Sequence, residues 1–155
     1  MNSAAQELRD LYRELILDHS RSPRHFGRME DATHVADGIN PLCGDKLRLY
    51  LRVTDDGTIA ATSFEGSGCA ISMASTSLMT DAVSGIPLAE AEACIDAITS
   101  RLTTAQAAAS LDPRLEKLQA LEGVREFPGR VKCATLAWRA LHAAINNDNM
   151  PATTE

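Results

Sequence analysis

No CxxC pair occurs anywhere in the chain, although it holds four cysteines, Cys43, Cys69, Cys94 and Cys133. No apolar run approaches the roughly 20 residues that span a bilayer, which argues against a membrane partner. The opening MNSAAQELRD has neither a basic segment nor an apolar core, so no secretory leader is visible and a cytoplasmic protein is expected. A basic stripe is also missing: the net charge is −6, and nothing along the chain would neutralise the phosphates of a nucleic acid. The one local basic cluster, HSRSPRHFGR (His19 to Arg28), reads either as a solvated loop or as a docking patch for an acidic partner. There are no repeats and no low-complexity linker. What remains is 155 residues, 45% hydrophobic and 23% charged, the profile of one globular domain with a real core. That domain is expected over residues 1–146, followed by a flexible tail at 147–155. In a reducing compartment four cysteines point to metal binding or catalysis rather than to a disulfide framework.

Periodicity divides the chain into elements. Leu8, Leu11, Tyr12, Leu15 and Ile16 recur at helical spacing within residues 3–19, with Ser3 and Gln6 placed as a capping box. Pro23 and Gly27 mark the loop that follows. From Lys46 the period becomes two: Leu47, Leu49, Leu51 and Val53 alternate with Lys46, Arg48, Tyr50 and Arg52, which predicts a half-buried strand. DDG at 55–57 turns the chain into a second strand, TIAATSFEG, and an earlier strand is expected around Thr33 to Asp37. Helical spacing returns with Ile71, Ala74, Leu78, Met79, Ala82 and Val83, ending at Gly85. Pro87 opens another helix, with Leu88, Ala91, Ile95, Ile98 and Leu102 on its seam. DPRLEKLQAL suggests a short helix and EGVREFPG a loop. A last helix is expected from about Val131 to Asn146, with Leu136, Ala137, Ala140, Leu141, Ala144 and Ile145 inward. This order predicts an α+β domain, its helices packed on one face of a small antiparallel sheet.

Three of the cysteines stand in suggestive settings. Cys43 and Asp45, in NPLCGDK, are two apart just ahead of a strand, and extended backbone would point both to one side. They read as a joint ion site or as a buried thiol plus a turn aspartate. Cys69 follows GSG and precedes a helix, where unpaired N–H groups and the positive dipole end favour a thiolate; the alternative is a small residue in a tight turn. Cys133 opens the last helix on its inward side, which suits a core thiol, but Arg130 and Lys132 beside it would stabilise a thiolate. Cys94 lies mid-helix with no glycine or cation nearby and reads as a packed side chain. Three thiolates and one carboxylate form a zinc-compatible set of formal charge −2, which Arg130 and Lys132 could offset. His19, His25, His34 and His142 lie near none of these motifs. No spacing rule links residues 43, 69 and 133, so only the fold can gather them.

Together NPLCGD, EGSGCAISMAS and GRVKCATLAW resemble the U-type iron–sulfur cluster assembly family, and most of all its SufU branch. IscU-type members carry histidine immediately before the third cysteine, where this chain has Lys132, and the stretch between Cys69 and Cys133 is longer here. The resemblance extends from LYRELILDHSRSPRHFG to about Ile145. It implies a three-stranded antiparallel sheet backed by helices, of the SufE/NifU type, with Zn²⁺ held at one end by Cys43, Asp45, Cys69 and Cys133. It further implies a zinc-dependent sulfurtransferase: Cys43 accepts persulfide sulfur from a PLP-dependent cysteine desulfurase of the SufS type, for transfer toward a downstream Fe–S scaffold. Arg130 would pair with Asp45 or position the freed thiolate. Two other roles are consistent with the same residues: a scaffold carrying a transient 2Fe–2S cluster, and a zinc-stabilised protein-interaction module.

Overall fold

Leu47, Leu49 and Leu51 are buried while Lys46, Arg48 and Arg52 are exposed, so the period-two stretch is a strand with one dry and one wet face. In the computed structural model, which describes residues 3–103, 113–147 and 150–154, it is β2 (Asp45–Val53). It lies between β1 (His34–Asn40) and β3 (Ile59–Ser67), antiparallel to both. The expected three-stranded sheet gains a fourth member: β4 (Ala152–Thr153) runs parallel to β1, giving the order β3-β2-β1-β4. β4 comes from the stretch expected to be a loose tail. The backbone groups of Gly38 and Ile39 at the edge of β1 supply the reason, since they pair with Ala152 and Thr153. Two residues carry no periodicity, so local pattern could not reveal this strand.

The opposite edge is covered as well. Gly27 N–H donates to Phe64 C=O at 2.8 Å and Phe64 N–H to His25 C=O at 3.0 Å, while the rings of Phe26 and Phe64 meet edge to face at 5.3 Å. The basic cluster thus has structural work: Arg24 pairs with Asp18, His25 lies 3.5 Å from Asp81, and His19 is buried.

The described helices are α1 (Ser3–Arg21), α2 (Ala70–Val83), α3 (Leu88–Thr103), a 3₁₀ helix (Pro113–Glu126) and α4 (Pro128–Ile145). They form one layer system, in which α2 and α4 pack on the sheet and the others pack on them. α4 packs against β1, β2, α2, α3 and the 3₁₀ helix, so from Cys133 to Ala144 only Arg139 and His142 are exposed. Small residues make that approach possible: a Cβ on Gly38 of β1 would sit 3.2 Å from Leu136 Cδ1. α2 is buried almost all round too, and its hydroxyls bond to nearby carbonyls, Ser75 Oγ to Ala134 C=O at 2.6 Å and Thr76 Oγ1 to Ser72 C=O at 2.8 Å. EGVREFPG is no loop: the 3₁₀ helix runs to Glu126, and Phe127 alone interrupts before Pro128 opens α4 three residues ahead of Val131. On α1, Leu11 is 66% exposed, because the inward face is shared by Tyr12, Ile16 and His19. Ser3 Oγ and Leu8 lie outside the described side chains, and Gln6 donates to Asp10. No helix among the described residues is long and apolar enough to cross a membrane.

His19 gives the fold a pH dependence. Its Nδ1 is 2.7 Å from Ser77 Oγ, and burial, reinforced by the Arg24 charge, holds its pKa below the usual histidine value. Asp18 and Asp81 pull the other way and Lys117 adds to the lowering, without reversing it. The unfolded chain therefore takes up the proton first, and stability falls as pH drops below about 6.5 until the folded-state pKa is passed. Denaturant titrations from pH 8 to 5 should show a steeper acid loss for the native chain than for His19→Asn. Parallel curves would remove His19 as the cause.

Candidate metal centre

Asn40 and Asp45 are the last register pair of the β1–β2 hairpin, and Pro41 to Gly44 form the loop between them. Gly44 N–H closes that loop on Asn40 C=O at 2.9 Å, and its φ of +72° is a left-handed conformation that glycine adopts without Cβ strain. Cys43 and Asp45 thus converge through a turn, not through the strand alternation expected from their spacing. Asp45 begins β2 in phase with Leu47, Leu49 and Leu51, so its carboxylate is carried into the dry side and is fully buried.

A buried carboxylate needs donors. Asp45 Oδ1 accepts the Cys69 N–H at 2.9 Å, and Oδ2 accepts from Asn40 Nδ2 at 3.1 Å. The two glycines before Cys69 serve the same packing. A Cβ on Gly66 would sit 2.2 Å from Lys46 C=O, and one on Gly68 would sit 2.5 Å from Asp45 Oδ1. Cys69 itself is the N-cap of α2, its Sγ accepting the Ser72 N–H at 3.4 Å, as its position ahead of the helix led one to expect. From the far side α4 brings Cys133, 2% exposed, with its Sγ 3.4 Å from Cys43 Sγ and 3.4 Å from Asn40 Nδ2. Burial, then hydrogen bonds with Cys43, Asp45 and Cys69, push the Cys133 thiol pKa well up.

Cys43, Asp45 and Cys133 each offer a ligand atom, all within 4.8 Å of one another. A tetrahedral zinc site with Zn–S bonds of about 2.3 Å has S···S edges of about 3.8 Å, so the donors present suit such an ion. Cys69 Sγ falls outside that mutual group, while its backbone N–H holds Asp45. Cys43 and Cys69 are exposed, whereas Asp45 and Cys133 are buried, so the centre is anchored inside and open on one side. Arg130 is exposed, with its guanidinium 4.6 Å above the Phe127 ring, and neither it nor Lys132 makes an ion pair among the described residues. Cys94 is packed in the core of α3. His25, His34 and His142 have partners elsewhere, Asp81, Thr33 and Glu92. Sequence reasoning missed Asn40. Its signal was the register of Ala36, Gly38 and Asn40 on one face of β1, obscured because the apolar Val35 and Ile39 lie on the other.

Residues 11–153 match the NifU-like N terminal domain. The chain belongs to that family. Within it, the chain is 40% identical to the zinc-dependent sulfurtransferase SufU of Bacillus subtilis, over 87% of this chain and 89% of the relative. It is 39% identical to the iron–sulfur cluster assembly scaffold protein IscU of Streptococcus pyogenes, over 92% and 87%. Among solved structures, a putative iron–sulfur cluster assembly scaffold protein for the SUF system from Fervidobacterium islandicum superposes with TM-score 0.74 at 32% identity, covering 85% of this chain and 94% of the other. The N-terminal part of a NifU-like protein from Brucella abortus gives 0.79 at 27%, covering 90% and 94%. The α+β arrangement of this chain is therefore the NifU-like fold, and in this chain it places the cysteine–aspartate cluster at one end of the sheet.

Proposed function

We propose that this NifU-like protein is a zinc-dependent sulfurtransferase, taking persulfide sulfur from a PLP-dependent cysteine desulfurase of the SufS type for iron–sulfur cluster assembly. Cys43, Asp45, Cys69 and Cys133 are the proposed ligands. When bound, zinc would keep the thiols deprotonated and shielded from oxidants. The placement of Cys43 carries the reading. Asp45 is fixed in a strand and Cys133 in a helix, and Cys69 caps another helix, whereas Cys43 sits in an exposed four-residue loop. It is the donor that can leave the cluster without disturbing a strand or helix. In the transfer the Cys43 thiolate attacks the outer sulfur of the desulfurase persulfide. A new S–S bond forms at Cys43 as the old one breaks, and the desulfurase cysteine departs as thiolate with no net oxidation. Leu42, 67% exposed next to Cys43, offers a docking partner apolar surface that folding leaves uncovered.

Purified protein should hold about one zinc per chain and should raise the rate of alanine release by a SufS-type desulfurase. A rate no higher than that of the desulfurase alone would reject the transferase reading. The scaffold reading is favoured by one observation, the exposure of both Cys43 and Cys69, through which a 2Fe–2S cluster could be received and released. Anaerobic reconstitution with iron and sulfide decides it, because a scaffold must yield a cluster that moves to an apo-ferredoxin.

A further inference from the structure

Four buried groups from four parts of the chain form one hydrogen-bonded line that ends on the metal centre. Thr154, 5% exposed and just beyond β4, donates its hydroxyl to Asn40 Oδ1 at 3.0 Å. Asn40, fully buried at the end of β1, turns its amide nitrogen to Asp45 Oδ2 at 3.1 Å and to Cys133 Sγ at 3.4 Å. The amide has two N–H donors and the two anionic ligand candidates take one each. Its oxygen must then find a donor away from the cluster, and Thr154 supplies it.

We propose that Asn40 is a positioning residue for the metal ligands and that Thr154, carried by the C-terminal strand, holds it in that role. The inference rests on the zinc reading above. The chemistry follows from the two ends of an amide. With nitrogen toward the cluster, Asn40 stabilises the Asp45 carboxylate and the Cys133 thiolate in their ligating forms and fixes their directions. With the amide reversed, its oxygen would face both anions. The Thr154 hydroxyl satisfies the carbonyl in the productive orientation and polarises the amide so that its N–H groups donate more strongly. Asp45 is then held from both sides, by Asn40 on Oδ2 and by the Cys69 N–H on Oδ1, each oxygen keeping a lone pair for an ion. Seating of the C-terminal strand on β1 is thereby linked to the quality of a metal site formed from residues that all precede it in the chain.

The test uses the full chain, with the zinc ion as ligand and a chromophoric chelator as competitor. The wild-type chain must first show about one tight zinc per chain; if it shows none, the zinc reading itself has failed, which is a separate result. Thr154→Val keeps the volume and the strand pairing but removes the donor, and zinc affinity should fall about tenfold, as for loss of an outer-shell partner. Thr154→Ser should restore affinity to within twofold. In an Asn40→Ala background Thr154→Val should cost nothing further, because its effect passes through the amide. Should Asn40→Ala not fold, the visible spectrum of the cobalt-substituted chain decides: Thr154→Val should shift the d–d bands and Thr154→Ser should not, a change that lowered stability alone would not produce. Zinc affinity of Thr154→Val within twofold of wild type, an equal loss with and without Asn40, or an unshifted cobalt spectrum would overturn the proposal.

Discussion

Cys43→Ala should leave the chain folded and bring desulfurase stimulation down to the unstimulated rate, a loss of at least about 100-fold in sulfur acceptance. Three facts set this expectation. Cys43 is exposed, it lies in a loop, and its sulfur packs against Cys133 rather than against the apolar core. Truncating such a side chain ordinarily changes stability by no more than about 0.5 kcal/mol. Metal retention can be bounded as well. Structural zinc sites bind with about 10–16 kcal/mol, so one ligand of four is worth about 3 kcal/mol, roughly 100-fold in affinity. A site starting from the tighter part of that range keeps its metal at micromolar protein. Circular dichroism, zinc analysis and alanine release on the same preparation separate the cases. A folded, zinc-loaded Cys43→Ala protein that stimulates normally would remove Cys43 as the acceptor. A protein that unfolds would instead mark the cluster as chiefly structural.

Gly68→Ala should cost stability and zinc affinity together, because the added methyl strikes a ligand candidate. Its Cβ would lie 2.5 Å from Asp45 Oδ1, 3.1 Å from Cγ and 3.2 Å from Cβ of the same residue. Asp45 cannot swing aside cheaply: it is fully buried, and both its oxygens are held by hydrogen bonds. Overpacking of this kind costs about 1–3 kcal/mol, and here the displaced group is a ligand candidate, so zinc affinity should fall by more than tenfold together with the unfolding midpoint. Gly85→Ala is the matching control. Gly85 has φ +88° with nothing within 4 Å of its would-be Cβ, so the variant meets backbone strain of about 1–2 kcal/mol with no clash. Its stability should drop by a similar amount while zinc binding stays unchanged. Equal zinc affinity in both variants would mean that the carboxylate is not a ligand.

Much of this protein could be read along the chain because helices and strands announce themselves locally. The alternation of Leu47, Leu49 and Leu51 with Lys46 and Arg48 located β2 and its dry face, and with them the phase that buries Asp45. Gly68 followed by Cys69 marked the start of α2, Gly85 its end, and Pro87 the start of α3. These signals arise from hydrogen bonds and side-chain contacts spanning a few residues, so a few residues encode them. Glycine neighbours, a helix start and flanking cations also set Cys43, Asp45, Cys69 and Cys133 apart from Cys94 along the chain, and the structure brings the ligand atoms of Cys43, Asp45 and Cys133 within 4.8 Å of one another.

Packing decided the rest. His19 is inside, Leu11 outside, and residues 152–153 form a strand, because each outcome depends on which surface arrives from elsewhere in the chain. Cys43 meets Cys133 at a sequence separation of 90, and Thr154 meets Asn40 at one of 114. No local preference spans such separations, since the entropy of closing those loops is repaid only when sheet and helices close over one core.

A hairpin turn, the first residue of β2 and the buried face of α4 bring two sulfur donors and one carboxylate to one point, and the N-cap of α2 holds the carboxylate. Should a metal-loaded chain prove to bind its ion through none of these donors, the metal-centre reading is lost, and with it the role assigned to Asn40.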